Sequence, residues 1–133
     1  MINFREIDVY KPLAREFPKG LLVSAGADAD DLEAWAQAET LRLASRGQTV
    51  LGGYAMNRLS VERFEVLGVV VDERHRQQGL GRWLVGHALG VAESKGGQEV
   101  VIAQPGETAM FTQMGFRENG NACLYELVPE SLT

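Results

Sequence analysis

Six consecutive residues, Arg76-Gln77-Gln78-Gly79-Leu80-Gly81, carry the most specific chemistry in this chain. Their two glycines let a backbone approach a ligand closely. A helical pattern starts at once, with Leu80, Leu84, Ala88 and Val91 recurring on one face. The first N–H groups of such a helix lack intrahelical acceptors and point back at the glycines. The helix dipole adds partial positive charge at the same place. Arg74, His75, Arg76 and Arg82 surround the turn. This combination suits a phosphate or pyrophosphate. The plainer reading is a strand–loop–helix connection with a solvated basic loop, because a glycine pair alone is a weak signal. Arg74 and His75 fit that plainer reading best; for Arg76 the structural alternative is a surface arginine in a salt bridge, which the surrounding motif disfavours.

Two known phosphate-binding patterns fit less well. A dinucleotide fingerprint needs a third glycine, and Leu84 occupies its position. Its later acidic residue should end a strand, whereas Glu99 begins one. No Gly-x-x-x-x-Gly-Lys-Ser/Thr loop occurs in the chain.

Arg76-Gln77-Gln78-Gly79-Leu80-Gly81 resembles the Arg/Gln-x-x-Gly-x-Gly/Ala signature of the GNAT superfamily of acyl-CoA N-acyltransferases. The likeness extends outward as Val71-x-x-x-x-Arg76 and as Gly81-Arg82-x-Leu84-Val85. Downstream, Phe111-Thr112-Gln113-Met114-Gly115-Phe116 is similar to that superfamily's late helix ending in Gly-Phe. The resemblance implies acetyl-CoA as acyl donor and cosubstrate, with no metal. It places the donor along the strand ending at Val71, split from the strand near Ala103. Backbone groups of Val69 and Val71 would then pair with the pantetheine, and one N–H could polarise the thioester carbonyl. The N–H groups of Arg76, Gln77, Gln78, Gly79, Leu80 and Gly81, with Arg82 beside them, would hold the pyrophosphate.

The same resemblance implies a base for the acceptor. Glu65 falls where histone acetyltransferases of the superfamily carry a glutamate on this strand. A carboxylate there can take the proton of an attacking amine. Its structural alternative is an exposed strand residue paired with Arg63 or Arg58. Glu62 and Glu39 are substitutes if the acceptor enters from the other side. The late helix departs from the pattern. Phe111 stands where a tyrosine often protonates the departing thiolate, and Gln104 replaces an asparagine that contacts the pantetheine. Tyr125 and Tyr54 are replacement acids, although each reads more simply as a packed strand tyrosine with its hydroxyl at an edge. The expected activity is transfer of an acetyl group to a primary amine of a small molecule or peptide by direct attack. The alternative is a catalytically silent acyl-CoA-binding protein that regulates a partner enzyme, which Phe111 and the short chain favour.

Other polar candidates have plainer roles. His87 shares a helix face with Leu80, Leu84 and Val91 and reads as a boundary histidine. Cys123 reads as a small strand residue. Two histidines and one cysteine form no metal-ligand set of usual spacing. Trp35 and Trp83 read as packing residues, with Trp35 on the helix pair that shapes the acceptor pocket in the resembled superfamily.

The elements must position these groups. The chain has 133 residues, 45% of them hydrophobic and 23% charged, which fits a single domain over 1–133. The single cysteine excludes an internal disulfide and suits a reducing cytoplasm. The start, Met1-Ile2-Asn3-Phe4-Arg5-Glu6, has no long apolar run, so no signal or membrane segment is expected. A net charge of −5 argues against nucleic acid as a partner and leaves room for a cationic acceptor.

A first strand is expected around Ile2, Phe4, Ile7 and Val9. A short helix over 10–17 would end at Pro18-Lys19-Gly20. Asp28 or Asp30 would cap a helix carrying Leu32, Trp35 and Ala36 on one face. Three strands follow, around Leu41 and Leu43, from Thr49 to Leu59 and from Phe64 to Val71, with Gly52-Gly53 marking a bulge or a close backbone contact. The motif helix should run to about Ser94 and end at Gly96-Gly97. A buried parallel strand over 99–103, a helix over 108–114 and a hairpin turning at Gly120-Asn121 complete the set. The predicted fold class is α/β, a mixed and mostly antiparallel central sheet with helices on both faces. An exposed strand edge or the closing hairpin would serve a homodimer.

Overall fold

The computed structural model describes residues 2–103, 105–106 and 108–127. A seven-stranded sheet organises them in the order β1-β2-β3-β4-β5-β7-β6. The strands are β1 (Asp8–Tyr10), β2 (Thr40–Arg46), β3 (Thr49–Arg58), β4 (Arg63–Val71), β5 (Glu99–Ala103), β6 (Arg117–Asn119) and β7 (Ala122–Glu126). The helices are α1 (Lys19–Ser24), α2 (Ala29–Ala36), α3 (Leu80–Ser94) and α4 (Ala109–Gln113). Only β4 and β5 run parallel; every other neighbouring pair is antiparallel. The α/β class, the mixed sheet and the element order agree with the sequence expectation.

Both faces of β4 are covered, which explains its unbroken apolar run. Val66, Val69 and Val71 pack with Leu80, Leu84 and Phe111 on the α3/α4 side. Leu67 and Val70 pack with Leu22 and Trp35 on the α1/α2 side. A bulge makes this possible. Ala55 pairs with Gly68 but Met56 pairs with Val66, so Leu67 is an extra residue in β4. Gly52 and Gly53 serve close contacts: a Cβ at Gly52 would lie 2.4 Å from the Val70 carbonyl oxygen, and one at Gly53 2.6 Å from that of Arg42.

The early elements differ from expectation. Ile2 to Ile7 do not form a strand, because Phe4–Glu6 make one 3-10 turn and β1 starts at Asp8. The helix over 10–17 is absent; Ala14–Glu16 form a single 3-10 turn. Pro12 accounts for this, since it supplies no N–H and disfavours helical backbone at Lys11. The helix instead begins after Pro18, whose carbonyl accepts from Leu22 N–H at 3.0 Å. Asp28 caps α2: its side chain accepts from Asp31 N–H at 2.9 Å, and the Asp31 side chain accepts from Asp28 N–H at 3.0 Å. Trp35 is buried on that helix, whereas Ala36 faces solvent.

Helix α3 carries two glycines that no packing requires. A Cβ at Gly86 or at Gly90 would meet nothing within 4 Å. Each glycine in a helix interior costs about 1 kcal/mol relative to alanine. Gly86→Ala and Gly90→Ala should therefore each stabilise the protein by about 0.5–1 kcal/mol. Chemical denaturation would check this, and an unchanged or lower midpoint in both variants would refute it.

Candidate active site

β4 outlasts its parallel neighbour, and that mismatch makes the site. Pairing between β4 and β5 runs from Arg63 opposite Glu99 to Val66 opposite Ile102. β4 then continues to Val71 while β5 ends at Ala103. The gap is a cleft of about 260 Å³, walled by Val66 to Val69, Val71 and Gly81 on one side and Ile102, Ala103, Pro105, Met110 and Phe111 on the other.

The register says which backbone groups face the cleft. Asp72 N–H donates to Leu51 O at 2.7 Å, which marks the hydrogen-bonding positions toward β3. Val71 and Val69 lie opposite Gly52 and Tyr54, at the alternate positions. Their N–H and C=O groups therefore point away from β3 and into the cleft. The Arg76 Nε–H contact with Val71 O, at 3.3 Å, agrees with this direction.

The loop beyond Val71 builds an anion cradle. Asp72 starts a 3-10 turn over Glu73–His75, its carboxylate accepting from Arg74 N–H at 3.0 Å. That backbone bond is the main reason the Asp72 carboxyl is held below the usual carboxylate range. Gln77 has φ +63° and Gly79 φ +83°, so the chain turns through left-handed conformations before the helix. Successive N–H groups in such turns converge on anions. Among the described residues, no backbone carbonyl accepts from the N–H groups of Arg76 through Arg82. Gly81 opens the cleft wall at the same end, where a Cβ would sit 3.7 Å from Val71 Cγ2. Unfilled donors and an open wall fit a pyrophosphate followed by an extended thiol arm.

The structure brings most of the sequence candidates together here. Val69, Val71, Gly81 and Phe111 line the cleft. Arg76, Gln77 and Arg82 are exposed around the loop, and Gln78 is half-buried. Leu80 is only 1% exposed, so it offers its N–H while its side chain anchors the helix in the core. Gln104 lies outside the described residues. Met110 and Ile102 are cleft residues that sequence reasoning missed; Met110 could have been found as the apolar neighbour of Phe111. His75 corrects an expectation. It is not solvated: its side chain is only 16% exposed and lies 4.0 Å from Asp72, with Nδ1 unbonded among the described residues.

Glu65 sits across the sheet from the cradle. Phe64 and Val66 face α3 and α4, so alternation turns Glu65 to the other side. It is half-buried between Asn57 and Val101 on the neighbouring strands. The expected ion-pair alternatives do not occur. Arg63 pairs with Glu99. Arg58 donates to the carbonyls of Ser60, Val61 and Lys95 and stacks over Phe64 at 5.0 Å. No hydrogen bond or salt bridge to the Glu65 carboxylate occurs among the described residues. Glu62 and Glu39 are exposed, and neither lines the cleft.

The replacement acids fare differently. Tyr54 is fully buried, and its hydroxyl meets His87 Nδ1 at 2.7 Å. It is a core tyrosine with an internal partner, not one with its hydroxyl at an edge. Burial pushes its pKa up to about 12. Burial, with Arg42 nearby, also lowers the His87 pKa. Tyr125 packs on Phe116, with ring centroids 5.1 Å apart, and is absent from the cleft wall. Cys123 is buried, and that burial raises its thiol pKa. Trp35 is 6% exposed and presses on the backbone at Gly68, so it walls β4 on the α1/α2 side. Trp83 stacks on Phe4 at 5.4 Å. Among the described residues, no group of three His, Cys, Asp or Glu could hold a metal ion. No helix among them is long and apolar enough to cross a membrane.

The model of the acetyltransferase (GNAT) family matches residues 8–116, which includes both motifs and the whole cleft. The chain belongs to the GNAT acetyltransferase family. No curated protein sequence matches it. Solved GNAT structures share its fold. A GNAT family acetyltransferase from Elizabethkingia anophelis, with acetyl-CoA bound, is 21% identical with a TM-score of 0.76, covering 92% of this chain and 99% of that one. The IAA acetyltransferase from Bacillus cereus ATCC 14579 is 20% identical with a TM-score of 0.79, covering 91% and 99%. A GNAT family acetyltransferase from Brucella melitensis, in complex with acetyl-CoA, is 16% identical with a TM-score of 0.72, covering 92% and 89%. At these identities the likeness is one of fold.

Proposed function

We propose that this GNAT chain is an acetyl-CoA-dependent N-acetyltransferase that acetylates a primary amine by direct attack. The observation that carries this reading is the cleft itself. It offers strand backbone along one wall and unfilled N–H donors at one end. Bound acetyl-CoA would supply a thioester carbon open to a nucleophile.

The chain's own residues divide the work. The N–H groups of Arg76 to Gly81 and the guanidinium of Arg82 bind the pyrophosphate at the helix terminus. Val69 and Val71 pair with the extended arm, and one of their cleft-facing N–H groups would polarise the thioester carbonyl. Phe111 and Met110 exclude water from the cleft. Glu65 accepts the amine's proton at a carboxylate oxygen, directly or through one water, from the α1/α2 side. Donor and acceptor thus meet through the gap in the sheet. Phe111 supplies no proton to the departing thiolate, so water serves there.

Isothermal titration tests the donor half. Acetyl-CoA should bind, and Arg82→Ala should weaken it by about tenfold, as expected for one charge-assisted contact worth about 1.5 kcal/mol. No binding by the parent protein would overturn the assignment. The absence of any polar side chain from the cleft lining among the described residues favours one second reading, an acyl-CoA-binding regulator without turnover. Coenzyme binding without amine-stimulated thiol release from any acceptor would select it.

A further inference from the structure

The outer side of α3 carries a second concavity, of about 550 Å³ and mostly apolar. Gly79 and Arg82 line it at the cradle end, Trp83, Gly86 and His87 line its floor, and Phe4 joins from the N-terminal turn. Phe4 stacks on Trp83, with ring centroids 5.4 Å and planes 17° apart. It also reaches the cradle, since a Cβ at Gly79 would lie 3.7 Å from its Cζ. Phe4 precedes the span 8–116 that matches the family, so this wall is the chain's own addition. Gly86 supplies the second unusual feature. A glycine inside a helix is costly, and no neighbour here requires one. The space its missing side chain leaves open is the groove itself. His87 is the third. Tyr54 holds its Nδ1 at 2.7 Å, while Nε2 has no protein partner among the described residues and is not sealed off.

We propose that this groove is a purine site, which seats the base at the nucleotide end of the coenzyme against Trp83 and over the bare backbone of Gly86. The inference rests on the donor reading above and extends it to a part of the donor that the cleft does not reach. Continuity argues for it: Gly79 and Arg82 belong to both the cradle and the groove, so a ligand anchored by its pyrophosphate runs on without a break. Chemistry argues for it as well. A base is flat with two π faces, and an aromatic wall holds it by stacking. When the Tyr54 hydroxyl donates to Nδ1, the proton of the neutral His87 ring sits on Nε2, a donor for a ring nitrogen of the base. Arg82 is the one charged group in the lining and suits a phosphate of the same nucleotide. The helix thus forgoes stability at Gly86 to keep a flat floor. Gly90 lies one turn further on, outside the groove, and serves as the comparison.

Isothermal titration of acetyl-CoA, with chemical denaturation alongside, tests this on Gly86→Ala, Gly86→Leu and Gly90→Ala. Gly86→Ala should raise the denaturation midpoint and yet weaken binding about threefold, and Gly86→Leu should weaken it at least about tenfold, the scale of a lost base–aromatic stack. Gly90→Ala should raise the midpoint and leave the affinity unchanged. Coenzyme A carrying fluorescent ethenoadenine reads the stack directly: its emission should be quenched on binding to the parent and far less in Trp83→Leu. Parent-like affinity in Gly86→Leu, or quenching that survives Trp83→Leu, overturns the purine site and leaves the donor reading standing. Equal losses in Gly86→Ala and Gly90→Ala also overturn it, by making the effect one of helix rigidity. No binding of acetyl-CoA by the parent protein overturns both readings.

Discussion

Glu65→Gln is expected to lower kcat by about 10²- to 10⁴-fold, the usual contribution of a positioned general base. The loss should fall on kcat and not on acetyl-CoA affinity, because Glu65 faces away from the α3/α4 side that holds the cradle. The substitution keeps the shape of the side chain and breaks no ion pair, since Arg63 and Arg58 bind elsewhere. A fold defect is therefore not expected, and unchanged thermal unfolding would confirm that the variant is intact. The pH profile adds a second reading. With the base removed, the rate should follow the free amine fraction of the acceptor, so raising pH should recover activity in the variant more steeply than in the parent. Equal kcat in both proteins across the pH range would remove Glu65 from the mechanism.

The second large effect is structural. Gly52→Ala should destabilise the protein by about 3 kcal/mol, the upper end of the overpacking range. The added Cβ would stand 2.4 Å from the Val70 carbonyl oxygen, with Leu84 Cδ1 and Val71 Cα each at 3.3 Å. The Val70 contact is backbone of the adjacent strand, so no rotamer change relieves it. β3 and β4 must separate at the position where β4 turns into the anion loop. For a chain of this size the melting temperature should fall on the order of 10 °C. Weaker acetyl-CoA binding should accompany it, because Val71 moves with the strand. Gly86→Ala is the control: the same added methyl group on open helix surface should raise the midpoint. A Gly52→Ala variant melting within a degree of the parent would show that the sheet yields there at no cost.

The anion loop was readable because its physics is local. Arg76 to Gly81 are contiguous, and a helix terminus with glycines states its chemistry within one turn. The length of α3 and the hairpin at Gly120 were readable for the same reason. The first helix was misplaced because the pattern over 10–17 gave too little weight to Pro12, while Pro18 starts the helix it was expected to end. Long-range partners stayed hidden. Tyr54 and His87 are 33 positions apart, and no spacing rule connects a strand tyrosine to a helix histidine. Glu65 illustrates the limit most clearly. Its residue type and position were legible, but the lack of an ionic partner depends on where Arg58 goes. That side chain is drawn to the Lys95 carbonyl at the end of α3, 37 positions away.

The extra residue at Leu67 acts as a phase shift along β4. Before it, even-numbered residues point to the α3 side; after it, odd-numbered ones do. The strand thus carries two sequence codes in series, one serving the acceptor side with Glu65 and one serving the donor with Val69 and Val71. Removing Leu67 would put both halves in one phase. With Val66 then directly before Gly68, plain alternation would keep Phe64, Val66 and Val69 on the α3 side and Glu65 on the opposite one, so the deletion would straighten the strand without exchanging its faces.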